Sequence, residues 1–312
     1  MSQPRALIIG LGSIGRRHQA LLTDLGCAVA ACTRHAQPEL PCFEDLDRAL
    51  REHRPQFIVV ANPTSDHEAT LKRFAELAPE ARLMVEKPLS SHVPDGLPAS
   101  LASRIAVGYN LRFHPAVLAL RAALRDEEPV SAQLYAGQHL PDWRPGRDYR
   151  TSYSASAAQG GGVLRDLSHE LDLALWLFGP WQRLVAHGGH FSGLDIETED
   201  TVGLLWQAER CPKVGVEINY LDRAPRRSIL VHTRRHTWEA DVFGARLLRD
   251  GELLESWMPE RNATYRDQDR AWLQNEAGIL CTFDEGLAVL HMIAAAEVSL
   301  QQAAWIRSSP SS

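Results

Sequence analysis

Arg5-Ala-Leu-Ile-Ile-Gly10-Leu-Gly12-Ser-Ile-Gly15-Arg-Arg-His18 stands almost at the start of the chain. A short apolar run ends in Gly10, and a helical pattern opens at Ile14 and continues to Leu25. Gly26 follows as a natural helix terminator. Strand, glycine turn and helix in this order make the phosphate loop of a dinucleotide-binding βαβ unit. The first glycine permits the tight turn, the second lets backbone N–H groups approach a pyrophosphate, and the third lets the helix pack close to the sheet. The helix then turns the positive end of its dipole toward the phosphates. Gly10, Gly12, Ser13, Ile14 and Gly15 are therefore the expected pyrophosphate contacts. The competing explanation, a glycine-rich structural turn, is weakened by the strand-turn-helix context.

Outward from this loop the rhythm repeats. Cys27–Thr33, Phe57–Ala61, Leu83–Glu86 and Ile105–Tyr109 read as strands, with helices expected over Asp45–His53 and Asp66–Ala78. Apolar strands alternating with helices predict a parallel sheet covered on both faces. After Tyr109 the pattern changes. Helices are expected over Pro115–Arg125, Leu164–Phe178, Tyr265–Ala277 and Asp284–Ala304. Ser131–Gln138, Thr201–Gln207, Lys213–Tyr220, Ser228–His232 and Trp238–Phe243 alternate like half-buried strands. Asp250-Gly251 is a hairpin turn between Arg246–Arg249 and Glu252–Glu255. The expected fold is an α/β Rossmann domain with a parallel doubly wound sheet over 1–115, followed by an α+β domain with a large, mostly antiparallel open sheet over 116–307. Its last helix spans 284–304, and a frayed tail covers 308–312. Val214, Val216 and Ile218 alternate either as core or as an exposed sheet face. Exposure would predict a homodimer or higher homo-oligomer through that sheet.

Composition narrows the function classes. The chain has 312 residues, 45% hydrophobic and 23% charged, which fits a folded globular protein. Its net charge of −6 leaves no basic footprint for nucleic acid. No apolar run reaches the roughly 18–20 residues needed to span a membrane. The N-terminus shows no signal-peptide core, so a cytoplasmic location is expected. The five cysteines lack CxxC spacing and read as reduced thiols, with no metal site expected. Lysine occurs only at 72, 87 and 213 in an arginine-rich chain, so a lysine inside a motif stands out.

The strand ends carry the chemistry, because open α/β sheets bind ligands there. The second strand ends Ala31-Cys32-Thr33-Arg34-His35, with no acidic residue to hold an adenosine ribose. Arg34 instead suits a 2′-phosphate through its planar fork, which favours NADP(H), with NAD(H) as the alternative. The third strand ends Ala61-Asn62-Pro63-Thr64-Ser65-Asp66-His67 and the fourth Val85-Glu86-Lys87-Pro88. One reading is two turns with proline breakers. The other places Thr33, Asn62, Pro63, Thr64, His67, Glu86, Lys87 and Pro88 along the cofactor, with Lys87 polarising a carbonyl or sharing a proton.

In these residues the sequence resembles the Gfo/Idh/MocA family of nicotinamide-dependent oxidoreductases. The pieces that carry the resemblance are Gly10-x-Gly12-x-Ile14-Gly15-x-x-His18, Asn62-Pro63-x-x-x-His67, Glu86-Lys87-Pro88, Gly160-Gly161-Gly162 and His169-Glu-Leu-Asp172 through Gly179. The final stretch from Glu285 to Ser299 also has the family's look. Gly108-Tyr-Asn-Leu-Arg-Phe-His-Pro115 is similar to a subgroup associated with bacterial surface sugars. The resemblance implies a Rossmann domain, a substrate-binding α+β domain that also mediates oligomerisation, and a catalytic Lys87. It implies His169 as the acid/base residue. The family carries Asp-x-x-x-His here, whereas Asp166 precedes His169 by three positions, so Asp166 is either a participant or a helix cap.

The implied reaction exchanges a hydride between nicotinamide and a carbinol or carbonyl of a sugar, sugar acid or nucleotide sugar. Asn110, Arg112, His114, Asp148, Arg150 and Tyr153 are the expected substrate contacts, along with Asp166 and His169. Arg144, Arg147 and Arg150 in the long loop Trp143–Gln159 either meet an anionic substrate or are ordinary surface arginines. Two other readings stay open: an NADP-binding sensor without catalysis, and transient oxidation used for elimination or epimerisation. A short-chain dehydrogenase is excluded, since Lys87 has Leu83, not tyrosine, four residues before it.

Overall fold

The computed structural model describes residues 3–34, 37, 39–78 and 80–308. In chain order the first strands are β1 (Arg5–Ile9), β2 (Ala28–Cys32), β3 (Cys42–Phe43), β4 (Phe57–Val60), β5 (Arg82–Val85) and β6 (Ile105–Val107). They continue with β7 (Pro129–Gly137), β8 (Trp181–Gly189), β9 (Thr201–Ala208), β10 (Lys213–Asn219), β11 (Arg226–Thr233) and β12 (Thr237–Asp241). The last are β13 (Arg246–Arg249), β14 (Glu252–Ser256), β15 (Cys281–Thr282) and β16 (Ile306–Arg307). The helices are α1 (Ser13–Asp24), α2 (Leu46–His53), α3 (His67–Leu77), α4 (Ala99–Ala102), α5 (Pro115–Ala123), α6 (Val163–Asp166), α7 (His169–Phe178), α8 (Ala263–Gln274) and α9 (Phe283–Gln302).

The chain divides into two compact units. One holds Met1–Asn110 and Arg261–Leu287, the other Leu111–Glu260 and Ala288–Ser312. A single cut near residue 115 does not describe this division, because 261–287 returns to the first unit.

The first unit is built on a sheet of order β15-β6-β5-β4-β1-β2-β3. Its strands are parallel except β15, which pairs antiparallel with β6. The chain runs outward from β1 to β2 and β3, then crosses back to β4 on the other side of β1, so the ends of β1 and β4 flank the switch point. Ile9 lies opposite both Cys32 and Val60, so the turns after β1, β2 and β4 leave the sheet side by side. Neighbouring strands lie about 4.8 Å apart, which sets the spacing of the residues at their ends. Ala6, Ile8, Val29, Val59, Met84 and Ala106 form a buried cluster with Leu22 of α1 and Trp272 of α8. Trp272 is 1% exposed and meets the Phe57 ring edge-on, centroids 5.3 Å apart. This packing gives α8 its place in the first unit.

The second unit carries a sheet of order β14-β13-β12-β11-β7-β10-β9-β8-β16. Its pairings are antiparallel except β7 with β10. The helices α5, α6 and α7 pack against it, with α7 on β7 and β10. Val214, Val216 and Ile218 are buried, so they are core positions and not an exposed interface. On β7 and β9 of the same sheet, Gln133 and Leu205 are exposed. The strand β8 was not expected; its Gly188-Gly189 end and irregular burial obscure the alternation.

Two local expectations need correction. The helix expected over Leu164–Phe178 is two helices, α6 and α7, separated at Leu167, whose φ −100° and ψ 29° leave the helical region. At the end of the chain, the Ser308 N–H donates to the Gln182 carbonyl at 2.9 Å, so this first residue of the expected tail is tied down. Residues 309–312 lie outside the described residues.

The α8 placement is testable in solution. Trp272→Ala should destabilise the protein by about 3–5 kcal/mol, since a large buried ring leaves a cavity behind. A urea titration followed by far-ultraviolet circular dichroism measures this. A loss below about 1 kcal/mol would contradict the packing of α8 in the first unit.

Candidate functional site

The glycine loop is shaped by its neighbours. Gly10 has φ +88°, and a Cβ there would collide with Ala61 O and the Asn62 backbone. A Cβ at Gly15 would run into the Gly10 carbonyl, so close approach of helix and loop demands glycine. Gly12 is different: a Cβ there meets nothing within 4 Å. It is the N-cap of α1, and no side chain caps that terminus. An uncapped helix start faced by open space is what a dinucleotide pyrophosphate requires, and Gly10, Gly12, Ser13, Ile14 and Gly15 present it. The residues present thus fit the cofactor implied by the loop.

The adjoining strand ends extend the row. The Thr33 N–H donates to Phe43 O at 2.8 Å. Arg34 is exposed after β2, with no hydrogen bond or ion pair recorded for it among the described residues, while His35 lies outside them. Pro63 precedes a 3-10 turn over Thr64–Asp66. Asn62 Nδ2 donates to Thr70 Oγ1 at 2.9 Å, and its carbonyl lies 3.1 Å from His67 Nε2. His67 Nδ1 lies 3.2 Å from Pro88 O and 3.3 Å from Leu89 O. His67 is 1% exposed, and burial lowers its pKa. The imidazole is packed between the Asn62 carbonyl at the end of β4 and the Pro88 and Leu89 carbonyls of the turn after β5, and His67 has no exposed surface to offer a cofactor.

The turn after β5 begins with Glu86, which is 8% exposed, followed by Lys87 and Pro88. One Glu86 oxygen lies 2.8 Å from His18 Nε2. His18 Nδ1 lies 2.9 and 3.0 Å from the two oxygens of Asp269 on α8. Burial opposes a charge on His18, but the two carboxylates outweigh it and raise its pKa to about 10. His18 is thus an imidazolium donating both N–H groups. Tyr265 meets its ring edge-on at 5.8 Å, and Arg17 lies 4.6 Å over the Tyr265 ring. No sequence pattern pointed to Asp269 or Tyr265, because their partners lie some 180 to 250 positions away.

Several expected substrate residues have structural partners. Asn110 Nδ2 donates to Thr264 Oγ1 at 2.7 Å, within the first unit. Arg112, in the second unit, is 1% exposed and forks onto Asp172 at 2.6 to 3.2 Å. Its guanidinium also lies 5.1 Å from the Trp176 ring centroid. Sealed in this way, Arg112 is a buried ion-pair partner and cannot reach a substrate. Arg150 is exposed and grips Asp148 with two nitrogens at 2.7 to 3.0 Å.

Other second-unit residues keep a chemical opening. Asp166 is 5% exposed and accepts the Tyr220 hydroxyl at 2.7 Å. Tyr153 also hydrogen-bonds Asp166; burial first, then the Asp166 charge, holds both phenols well above their ordinary pKa. Both therefore stay protonated donors. The triple glycine explains itself beside them. A Cβ at Gly161 would strike the Tyr153 and Ser154 backbone, and one at Gly162, at φ +106°, would strike the Glu199 carboxylate. His169 is 8% exposed and opens α7 directly after the break. His114 is 7% exposed and lines a cavity of about 230 Å³ with Gln138, Leu167, Arg227 and Phe243. Burial and then the Arg227 charge lower its pKa to about 4, so it is neutral at pH 7. A second cavity, of about 110 Å³, is lined by Trp143, Arg144, Arg147, Tyr149 and Ser154. Among the described residues no group of three or more His, Cys, Asp or Glu side chains is placed to hold a metal ion, and no helix is long and apolar enough to cross a membrane.

Comparison with known proteins adds to this geometry. The model described as "Oxidoreductase family, NAD-binding Rossmann fold" matches residues 5–97, and the GFO/IDH/MocA C-terminal domain model matches 118–239. An inositol 2-dehydrogenase from Rhizobium meliloti (strain 1021) is 25% identical over 128 residues, which span 39% of this chain and only 36% of that protein. The WlbA dehydrogenase from Bordetella pertussis, solved with NADH and UDP-GlcNAcA, superposes with a TM-score of 0.79 at 18% identity, covering 99% of each chain. A myo-inositol dehydrogenase from Corynebacterium glutamicum gives 0.80 at 18% identity, over 99% of this chain and 100% of that one.

The Arg112 assignment can be checked by a double substitution. Arg112→Met alone should cost about 3–5 kcal/mol of stability, because it strands the buried Asp172 carboxylate. Arg112→Met with Asp172→Leu should recover most of that loss in the same denaturation assay. Unchanged stability in the single variant would return Arg112 to the substrate.

Proposed function

The chain belongs to the GFO/IDH/MocA family of oxidoreductases, and from that membership we propose that it exchanges a hydride between a nicotinamide dinucleotide and a CH–OH group of a sugar or sugar derivative. The observation that carries this reading is the alignment of strand ends in the first unit. β1, β4 and β5 are consecutive in the sheet, so the open Gly12 loop, Asn62 and the Glu86-Lys87 turn end in one row beside the switch point.

Each group has a task in this reaction. The N–H groups at the start of α1 bind the pyrophosphate. The nicotinamide, when bound, supplies or accepts the hydride. The Lys87 ammonium holds the oxygen of the reacting carbon and favours its negative form. His169 removes the hydroxyl proton in oxidation and returns it in reduction. Asp166, fixed by the Tyr153 and Tyr220 hydroxyls, lies three positions before His169 and orients the start of α7.

Arg34 adds a preference for NADPH, since its exposed fork suits a 2′-phosphate. Complexes of related proteins with NADH weigh on the other side. Arg144 and Arg147, at the 110 Å³ cavity, favour a substrate with a carboxylate or phosphate, and neutral His114 favours hydroxyl groups at its own cavity. A second copy of the chain would pack on the sheet face that carries Gln133 and Leu205.

Fluorescence titration with NADPH and NADH tests the cofactor half. Tight NADPH binding that weakens about tenfold, ~1.4 kcal/mol, in Arg34→Ala supports the 2′-phosphate contact. An equal response with NADH would remove Arg34 from that role, and binding of neither would overturn the function. With a substrate from a screen of sugars, sugar acids and nucleotide sugars, Lys87→Ala should lower kcat about 10²–10⁴-fold while the cofactor Kd stays within a few-fold. Normal turnover in that variant would overturn the role of Lys87.

A further inference from the structure

His18 is a second functional element on the phosphate-loop helix. It is the sixth residue of α1, whose first turn is the glycine loop, so its imidazole sits about 7.5 Å along the helix axis from the loop. It is fully buried and spans two carboxylates from distant parts of the chain, Glu86 at 2.8 Å and Asp269 at 2.9 Å. Glu86 has little freedom of its own: a Cβ at Gly108 would touch its carboxylate at 2.9 Å, so the strand beside it leaves just the room the side chain fills. Asp269 is fully buried and held on α8, which packs against α1. The residue after Glu86 is Lys87.

We propose that His18 is the positioning residue for Lys87: held by Asp269 from behind, it fixes the Glu86 carboxylate and thereby ties the Glu86-Lys87-Pro88 turn to the helix that carries the phosphate loop. The proposal rests on the reading of Lys87 and the glycine loop given above. It joins the site's two ends, the place for the pyrophosphate and the reactive lysine, into one rigid body through a single side chain. It also gives α8 a role, since without Asp269 the imidazole would have one counter-charge and one anchor. The charged and titratable groups around His18 are Glu86, Asp269 and Tyr265, with Arg17 behind the Tyr265 ring.

The scarcity of lysine makes the test direct. Reductive methylation with ¹³C-formaldehyde labels the amino terminus and just three side chains, Lys72, Lys87 and Lys213. The Lys87 signal is assigned by its loss in Lys87→Arg. Its titration midpoint is then followed by carbon-detected NMR in wild type, His18→Gln and Asp269→Asn. Removing the imidazolium takes a positive charge from the cluster and leaves Glu86 unanswered, so His18→Gln should raise the Lys87 midpoint by about half a unit or more. Removing a carboxylate in Asp269→Asn should lower it. Lys72, paired with Glu68 at 2.7 Å, and Lys213, at the start of β10, should not move in either variant.

Opposite displacements confined to Lys87 support the proposal. A structural role alone would loosen the turn and move Lys87 in the same direction in both variants. That result, or an unmoved Lys87 in folded protein, overturns it. Should His18→Gln fail to fold, Asp269→Glu takes its place: keeping the carboxylate, it should leave the Lys87 midpoint unmoved while Asp269→Asn lowers it, and an equal shift in both, or none in Asp269→Asn, overturns the proposal. Wild-type titration with NADH and NADPH separates the two readings. Failure to bind either cofactor refutes the dinucleotide site, whatever Lys87 does, while binding together with an unmoved Lys87 refutes only the positioning role.

Discussion

A positive charge with no access to water lies at the centre of the first unit. His18 can carry it because each ring nitrogen donates to a carboxylate, Asp269 on one side and Glu86 on the other. An ion buried in a protein interior costs several kcal/mol of lost hydration, and only close, well-aligned partners offset that cost. The three partners come from α1, from the turn after β5 and from α8, so the charge cannot be satisfied until residues 18, 86 and 269 have been brought together. That requirement acts together with the packing of Trp272 in holding the segment 261–287 in the first unit, and it gives the phosphate-loop helix and the Lys87 turn one support.

The second unit solves a similar problem with different means. Asp166 is a buried carboxylate that accepts from two phenol donors, Tyr153 and Tyr220. The triple glycine lets the 153–154 backbone and Glu199 close around the start of α6. Arg112 and Asp172 then fix α7 to the segment before α5 by an ion pair that excludes water. His169 thus starts a helix braced on its inner side, and the side chains around it have few alternatives to their present positions.

Much of this was legible in the residues themselves. Glycine spacing, apolar strands and helix patterns locate the Rossmann unit because they act over short stretches, where backbone sterics and periodicity decide the outcome. The alternation of Lys213–Tyr220 marks β10, yet alternation alone does not say which face is covered; the packing of α7 does. Arg112 and Asn110 show the limit most clearly. Their types and places near a strand end suit a substrate, but their partners, Asp172 and Thr264, lie 60 and 154 positions onward. Asp269 was invisible for the same reason, as was the return of α8 to the first sheet. The break at Leu167, which sets the spacing of Asp166 and His169, is a tertiary choice that helix periodicity did not show.

The protonation of His18 is the central claim, since the clamp and the support of the Lys87 turn depend on it. Long-range ¹H–¹⁵N NMR of the histidine side chains between pH 7 and 10.5, with His18 assigned by its loss in His18→Gln, observes it directly. The account predicts that both His18 nitrogens stay protonated at pH 8 and lose a proton only near pH 10. A His18 that is a neutral tautomer at pH 8, with one bare ring nitrogen, would contradict it.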